Sequence, residues 1–600
     1  MDQYLGRQMR LKHDLNPTVT KVTFNDLWYI FKPGYEVRTP GESQIQLYRV
    51  VKVTGGRMTR PKKDAEELDA SQKLKEEGYS GGSFIIECFY FHFDGTRFGP
   101  VNATFQIRKF EGERGVKSLP IVPLVCYANA GNIRKKLEER GDKFAKLSNP
   151  KATAHRKYKG LTLDKNQEQV DSEVIIDFEL AFIQNTENKP VLGFEGRLVT
   201  DDLAGEIQWS GISAACSNPG CCGNDITFED YQVDEHERRA FNYKGLVDTS
   251  IEDARELKPE HKVLLPPLVY GFVLRTRRWA TFDIDLLGDP EYGDGWKHLV
   301  IDDPIKNTVL ALVKNHERTV GSQARIEEAM ASVDLVQGKG RGLILLLHGE
   351  PGVGKTSTAE CVAAQTKRPL FPITCGDIGD RAETVEANLE KSFQLAHKWG
   401  IFLSERTQDD IQRNAIVSVF LRTLEYYSGI LFLTTNRVGQ IDRAFKSRIH
   451  LSLLYKKLNR DRTIKIWENN IIRVDSEVTS DGRRIQCRRT DIIDFAKKHY
   501  DELEASDDLI VWNGRQIRNA FQTAIAIAAY EQARSIEGTE QDSKPASSDK
   551  CDVILGSAEF EQVAKSAIEF DKYLKSVSQM TDVVLAKTSG HRDDEGVLLV

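Results

Sequence analysis

The 600-residue chain lacks any long apolar run; none approaches the ~18 residues of a membrane-spanning helix, which excludes a helical membrane protein. No apolar signal core follows Met1-Asp-Gln-Tyr-Leu-Gly-Arg7, and the early acid argues against secretion. Cysteine is sparse, nine residues in all, too few for a disulfide framework at this length. The setting expected is therefore reducing and intracellular, with the cytoplasm the first choice. A strong charge of either sign is missing as well. A net charge of −6 and a pI near 6.1 supply no general field for a phosphate backbone, so nothing points to nucleic acid. What is present is ordinary globular composition, 40% hydrophobic and 29% charged. One core cannot serve this length, so several domains are expected.

The first 290 residues read as α+β with sheets dominating. Leu27–Phe31 and Tyr48–Val53 look like strands, while 57–82 are polar and read as an exposed loop or fraying helix. Phe84–Phe93 is aromatic and β-branched and runs into Asp94-Gly95, a good hairpin signal, with Phe98–Ile107 as the return arm. Ile133–Phe144 reads as a charged helix, and Val174–Phe178 and Leu268–Arg275 as further strands. Cys216-x4-Cys221-Cys222 with His236 fits no familiar zinc spacing, since adjacent cysteines rarely both ligate one tetrahedral ion. These thiols read as structural or unpaired. Asp177 and Glu179 fall on one face of a presumed strand, where a lone carboxylate pair is usually solvated. No nucleophile–base arrangement is visible, and this half reads as a binding or assembly module.

The second half is organised around Leu343–Thr356. Five apolar residues lead into Gly349-x-x-x-x-Gly354-Lys355-Thr356, and a helix-forming segment follows. Strand, glycine-rich turn and helix in that order are the context a P-loop requires. The residues expected around the phosphates are Gly349, Glu350, Pro351, Gly352, Val353, Gly354, Lys355, Thr356 and Ser357. Their backbone N–H groups would curl around an anion at a helix N-terminus. Lys355 would reach the β/γ-phosphates of ATP, and the Thr356 hydroxyl would hold Mg²⁺. Trp296–Asn315 reads as an amphipathic helix with Val309, Leu310, Leu312 and Val313 inward. Thr356–Lys367 and Glu383–Trp399 read as helices; Pro369–Cys375, Ile430–Asn436 and Ile449–Tyr455 read as strands. Short apolar runs alternating with helices imply a parallel sheet covered on both faces.

Gly349–Thr356, Leu431-Phe-Leu-Thr-Thr-Asn436, Ile441-Asp-Arg-Ala-Phe-Lys-Ser-Arg-Ile449 and Trp512-Asn-Gly-Arg-Gln-Ile-Arg518 together resemble an AAA+ ATPase. More narrowly, the chain resembles a mostly fungal group with an uncharacterised N-terminal domain before the AAA core. Phe93-Asp-Gly-Thr-Arg-Phe-Gly-Pro100 and Leu265-Pro-Pro-Leu-Val-Tyr-Gly271 also match that group. The resemblance covers residues 24–575, most specifically 340–455. It implies an α/β P-loop AAA+ core with a C-terminal helical lid behind the sheet-rich N-terminal domain. It also implies that Asn436 is sensor 1, aimed at the γ-phosphate and the attacking water. Arg448 would be the arginine finger, serving a neighbouring subunit's nucleotide in a ring-like homo-oligomer. Gly514 and Arg515 would form the lid's sensor 2 turn.

One part of the pattern is missing. Between the P-loop and sensor 1 a working core carries a buried strand ending in Asp-Glu, for Mg²⁺ and for the attacking water. Here Leu395-Ala-His-Lys-Trp-Gly-Ile-Phe-Leu-Ser-Glu-Arg406 holds no such pair, and about nine residues of the pattern are absent after Gly400. The helix Asp410–Phe420 then resumes the family pattern. Three readings stay open: a sequence short of a coding stretch, a degenerate site that binds without turnover, or a shortened strand that offers Glu405 as the acid and Ser404 as the Mg²⁺ ligand. An empty slot inside a sheet would leave backbone groups unpaired. Trp399–Leu403 is therefore expected to be drawn into it.

The domains expected are a tail at 1–23, the N-terminal domain at 24–290, the AAA+ core at 291–456 and the lid at 457–535. A flexible linker at 536–556, a docking helix at 557–576 and a loose tail at 577–600 complete the chain. The lid helices read as Arg462–Ile471, Asp491–Tyr500 and Gln516–Ala533; Phe560, Val563, Ala567, Phe570 and Leu574 give the docking helix its inner face. The leading expectation is ATP-driven remodelling of an unknown protein partner. The alternative is a non-hydrolysing, nucleotide-gated assembly protein. A small-molecule P-loop kinase is disfavoured by the Asn436 and Arg448 segments and the lid. Gly376–Ala382 contains no aromatic residue that could grip a threaded chain, which weakens a threading mechanism.

Overall fold

The computed structural model describes residues 2–55, 83–149, 154–193, 251–321, 342–374, 377, 382–406, 422–424, 427–440, 443–476, 483–506, 510–539 and 552–578. The chain forms two compact units, Met1–Pro290 and Glu291–Val600.

The first unit contains two five-stranded antiparallel sheets. Its strands are β1 (Lys21–Thr23), β2 (Glu36–Arg38), β3 (Leu47–Gly55), β4 (Phe84–Phe93), β5 (Phe98–Ile107), β6 (Glu113–Gly115) and β7 (Val122–Pro123), followed by β8 (Ala154–Leu161), β9 (Gln169–Ile176), β10 (Leu268–Val273), β11 (Arg278–Asp283) and β12 (Leu287–Gly288). One sheet runs β5-β4-β3-β2-β7 and the other β11-β10-β9-β8-β12, while β1 and β6 pair separately. The expected hairpin is present in full register, from Phe84↔Ile107 to Phe93↔Phe98. Asp94 closes it, its Oδ1 accepting from the N–H groups of Thr96 at 2.9 Å and Arg97 at 2.8 Å. The strand β4 reads as nearly continuous apolar residues because both its faces are buried. Phe89, Phe91 and Phe93 share a core with Phe144 and with Tyr158 and Val174 of the second sheet. Phe84, Ile86 and Cys88 pack with Leu27, Ile30 and Phe31. The expected helix is α1 (Ala130–Leu147), turned inward through Ile133, Leu137 and Phe144.

Two expectations in this unit are corrected. Leu27–Ile30 is a helical turn, not a strand, and follows a 3-10 turn at Phe24–Asp26. Asp26 opens that turn by accepting from the Thr23 N–H at 2.8 Å. Asp177 and Glu179 do not share a strand face. The strand β9 ends at Ile176, and Asp177 caps the helix Phe178–Gln184 by accepting from the Leu180 N–H at 3.0 Å. Residues 56–82, and Cys216, Cys221, Cys222 and His236, lie outside the described residues. The segments flanking 194–250 are tied to one strand edge. Gly193 N donates to Pro100 O at 2.8 Å, and Ile251 N donates to Phe98 O at 2.9 Å, both on β5.

The second unit is built on a five-stranded parallel sheet. Its strands are β13 (Leu343–Gly349), β14 (Leu370–Thr374), β15 (Phe402–Arg406), β16 (Ile430–Thr435) and β17 (Leu451–Tyr455), in the spatial order β14-β15-β16-β13-β17. Leu343–Leu347 and all six residues of β16 are buried, as expected for strands covered on both faces. The expected helix over 296–315 is interrupted. A short turn at Gly295–His298 precedes α2 (Asp303–Gly321), whose second residue is Pro304. Proline is favoured in a first helical turn and blocks a helix running through it. Val309 and Val313 are fully buried, whereas Leu310 and Leu312 are half-buried. The remaining core helices are α3 (Lys355–Gln365) and α4 (Ala382–Trp399).

The slot between β14 and β16 is filled, though three residues downstream of the expected run. Trp399 ends α4, Gly400 takes a φ of +62°, and the N–H groups of Gly400 and Ile401 return to the carbonyls of His397 and Ala396. This glycine-terminated cap stops the helix and turns the chain at once into β15. Phe402, Leu403 and Ser404 are buried there. The segment 410–420 lies outside the described residues.

The lid comprises α5 (Arg460–Asp475), α6 (Arg489–Glu504), α7 (Gly514–Thr539) and α8 (Ser557–Ser578). Its core is aromatic, with Trp467 only 1% exposed and ringed by Phe495, Trp512, Phe521 and Phe560. The helix α7 runs to Thr539, into the stretch expected to be a linker. Phe560 is buried and Val563 and Ala567 pack on the lid, but Phe570 is 59% exposed, so α8 docks mainly by its first half. A short parallel pair, β18 (Ile485–Cys487) with β19 (Val553–Leu555), ties the start of α8 to the lid.

Candidate nucleotide-binding site

The P-loop geometry follows from three glycines. Gly349, Gly352 and Gly354 have φ values of +131°, +78° and +100°, conformations that L side chains rarely adopt. A Cβ on Gly349 would lie 2.1 Å from Tyr455 O, and one on Gly352 would lie 2.3 Å from Asn513 Oδ1. Nothing lies within 4 Å of the corresponding point on Gly354, which serves as the left-handed N-cap of α3. The loop therefore leaves β13, curls back and opens directly onto a helix N-terminus. Lys355 is buried within the curl; its Nζ donates to Gly349 O at 3.0 Å and to Glu350 O. Thr356 and Ser357 are exposed at the first turn of α3. Free helix N–H groups, a lysine and hydroxyls on a side-chain-free backbone curve fit a polyphosphate with its metal ion.

The loop is braced from β17 and from the lid. Tyr455 Oη donates to Thr358 Oγ1 at 2.7 Å, and Thr358 Oγ1 donates to Gly354 O at 3.0 Å. Both side chains are buried, and burial pushes the Tyr455 hydroxyl up to about 12, so it remains a donor at neutral pH. On the lid side, Asn513 and Gly514 meet the loop at Gly352. Burial also raises the Glu360 carboxyl on α3, opposed by Arg518 on α7. Burial and the Lys355 ammonium hold His348, which precedes the loop, below its usual range.

The sheet register orders the other expected residues. Thr435 pairs with His348, so the half-buried Asn436 follows at the level of Gly349 on the adjacent strand. Glu405 pairs with Leu433, and Leu433 with Leu346, three residues before Gly349. Its backbone thus lies about 10 Å down the sheet from the loop. Arg448 follows a short helix at Arg443–Lys446 and precedes β17, whose first residue pairs with Leu345 and whose last pairs with Gly349. Parallel strands put Arg448 at the opposite end of the sheet, beyond a strand that spans about 13 Å. Arg515 is exposed, its N–H bonded to Asn513 Oδ1 at 3.0 Å. No motif in the sequence marks Tyr455 or Thr358 as part of the site. Asn513 did carry a signal, the Asn-x-x-Gln spacing of a helix-opening box with Gln516.

Among the described residues, no group of three or more His, Cys, Asp or Glu side chains could hold a metal ion, and no helix is long and apolar enough to cross a membrane.

Comparison with known families agrees with this architecture. Residues 345–456 match the ATPase family associated with various cellular activities (AAA), and residues 458–581 match the fungal AAA+ ATPase lid domain. Residues 12–128 match a domain of unknown function, DUF7025. The chain is an AAA+ ATPase-family protein of the fungal type, its core followed by that lid and preceded by the uncharacterised domain. Among curated proteins it is similar to Lon protease of Mycoplasma genitalium, 34% identical over 88 residues, covering 15% of this chain and 11% of that protein. It is also similar to Lon protease 4 of Sorangium cellulosum, 37% identical over 83 residues, 14% of this chain and 10% of that protein. The chain thus spans about a tenth of the length of these relatives. Among solved structures, the FIGL-1 AAA domain in complex with ADP is 17% identical, with a TM-score of 0.31 over 48% of this chain and 91% of that one. The HORMA:CdnC:Trip13 complex of E. coli MS115-1 is 16% identical, with a TM-score of 0.29 over 43% and 95%.

Proposed function

We propose that the protein binds ATP with Mg²⁺ at Gly349–Thr356 and couples the bound state to remodelling of a protein partner, as a ring-like homo-oligomer. The observation that carries this reading is the loop itself, three left-handed glycines opening onto a helix N-terminus with Lys355 buried inside the curl. Backbone N–H groups from Gly352 to Thr356 and the Lys355 ammonium bind the phosphates, and Thr356 is the residue for the metal ion. Bound Mg²⁺ neutralises phosphate charge. Asn436, at the level of Gly349 one strand over, orients a water at the terminal phosphate. Arg448 lies at the opposite end of the sheet from its own chain's loop, which favours a role at a neighbour's site and supports assembly as part of the mechanism.

A second reading, nucleotide-gated assembly with slow or absent turnover, is favoured by the register of Glu405. A catalytic carboxylate belongs beside the phosphates, and Glu405 stands about three strand residues short of that level. Loss of a positioned base typically costs about 10²–10⁴ in rate. Labelled-ATP binding measured alongside phosphate release separates the two. Binding lost in Lys355→Ala, with release far below ordinary ATPase rates, supports gated assembly. Ordinary turnover that disappears in Glu405→Gln would instead make Glu405 the acid. Turnover lost in Arg448→Ala and restored by mixing with Lys355→Ala would establish the shared site; no complementation would count against it.

A further inference from the structure

We infer that Asn513, on the lid, is a phosphate-side ligand of the bound nucleotide as well as the cap of α7. The inference rests on reading Gly349–Thr356 as a nucleotide loop. Asn513 Oδ1 accepts from the N–H groups of Arg515 and Gln516, both at 3.0 Å, while Gln516 Oε1 accepts from Asn513 N at 2.9 Å. This reciprocal box fixes the plane of the amide and commits its oxygen to the helix.

The same amide is pressed onto the P-loop. A Cβ on Gly352 would meet Asn513 Oδ1 at 2.3 Å, Cγ at 2.4 Å and Nδ2 at 2.9 Å, so only glycine admits it. A Cβ on Gly514 would in turn meet Gly352 O at 3.1 Å. With Oδ1 spent on the helix, the group left to interact at the loop is the Nδ2 amide, a donor only. Among the described residues none accepts from it. The N-terminal ends of α3 and α7 both meet the loop, at Gly354 and, through Asn513, at Gly352. Both ends carry partial positive charge, which suits an anion between them. Arg515, beside it on the lid, is exposed, with its N–H on Asn513 Oδ1.

The test uses the full chain and MgATP and MgADP as probes. Asn513→Asp keeps an oxygen that caps α7 but replaces the donor with a negative charge. A residue acting only as a cap would tolerate this change, since aspartate is as good a cap as asparagine. The expected result is an unchanged thermal midpoint without nucleotide and an affinity for both nucleotides lowered at least about tenfold, the size of a lost hydrogen bond to a charged group. Asn513→Ser, which caps without an amide, should lose affinity as well. Wild-type affinity in Asn513→Asp and Asn513→Ser, with binding abolished in Lys355→Ala, would overturn the role of Asn513 and leave the nucleotide loop standing. A wild-type protein that bound neither nucleotide, or a Lys355→Ala variant that bound both normally, would overturn both.

Discussion

The loop glycines give a prediction in which one substitution, placed at two positions, separates two physical causes. Gly354→Ala forces an L residue to a φ of +100° but meets no atom within 4 Å. Its cost is backbone strain alone, about 1–3 kcal/mol. Gly349→Ala carries comparable strain at +131° and also drives a Cβ to 2.1 Å from Tyr455 O and 3.0 Å from Tyr455 C. Those are main-chain atoms of β17, paired with Gly349 itself, so no side-chain rotation relieves the clash. Overpacking of this kind adds about 1–3 kcal/mol. The total, about 2–6 kcal/mol, is a large share of the 5–15 kcal/mol that typically holds a domain folded. Displacing β17 also moves Tyr455 away from Thr358, so the brace on Gly354 should loosen with it. Urea denaturation followed by tryptophan fluorescence measures the two variants against the wild type. Gly349→Ala should be the less stable by at least about 1 kcal/mol. Equal destabilisation, or a worse Gly354→Ala, would show that the close approach of β13 and β17 is not what requires a glycine there.

Three further outcomes follow from other contacts. Tyr455→Phe removes the donor to Thr358 while keeping the ring; it should cost about 1 kcal/mol of stability and weaken nucleotide binding less than Lys355→Ala does, as calorimetry can determine. In the N-terminal unit, burial pushes the His92 imidazole down to about 4. Its folded value lies below its unfolded one, so the unfolded state binds more protons over that interval. Stability is then fully present above about pH 6.5 and falls as pH drops toward 4, by up to about 3 kcal/mol from this group. His92→Gln should flatten that slope in acid denaturation without abolishing it, because burial also lowers His261 in the same unit; an unaltered slope would rule His92 out. Finally, the N–H groups of Gly193 and Ile251 are bonded to Pro100 and Phe98, two residues apart on β5, so these two positions are held side by side. Replacing 195–249 by a short Gly-Ser linker should leave these two contacts in place, read as hydrogen-exchange protection of the Gly193 and Ile251 amides, since loop-closure entropy changes slowly with length.

Much of this architecture was legible in the residues, for reasons that differ by element. The hairpin from Phe84 to Ile107 announced itself through long apolar arms around Asp94-Gly95, and the P-loop through spacing that serves one geometry. Short helical starts were harder. Leu27–Ile30 has strand-like composition, yet Asp26 opens a turn before it, and local capping outweighed propensity. Asp177 looked like half of a carboxylate pair because its capping bond to Leu180 depends on where β9 stops. Pro304 divides the 296–315 stretch even though a strong apolar stripe runs along it. The pairing of Ile485–Cys487 with Val553–Leu555 joins three-residue strands far apart in sequence, too short to show a period. The contact of Asn513 with Gly352 is a tertiary meeting of two turns, which no local pattern encodes.

The strand β15 separates what folding requires from what chemistry requires. Its neighbours ask it only for main-chain donors and acceptors and for apolar bulk at Phe402 and Leu403. Any segment meeting those terms closes the sheet, wherever its acids fall. Within this architecture, thermal stability and nucleotide affinity can both persist while turnover varies over orders of magnitude. A sound fold is therefore a poor proxy for activity, and an inactive relative would purify and load with nucleotide as an active one does.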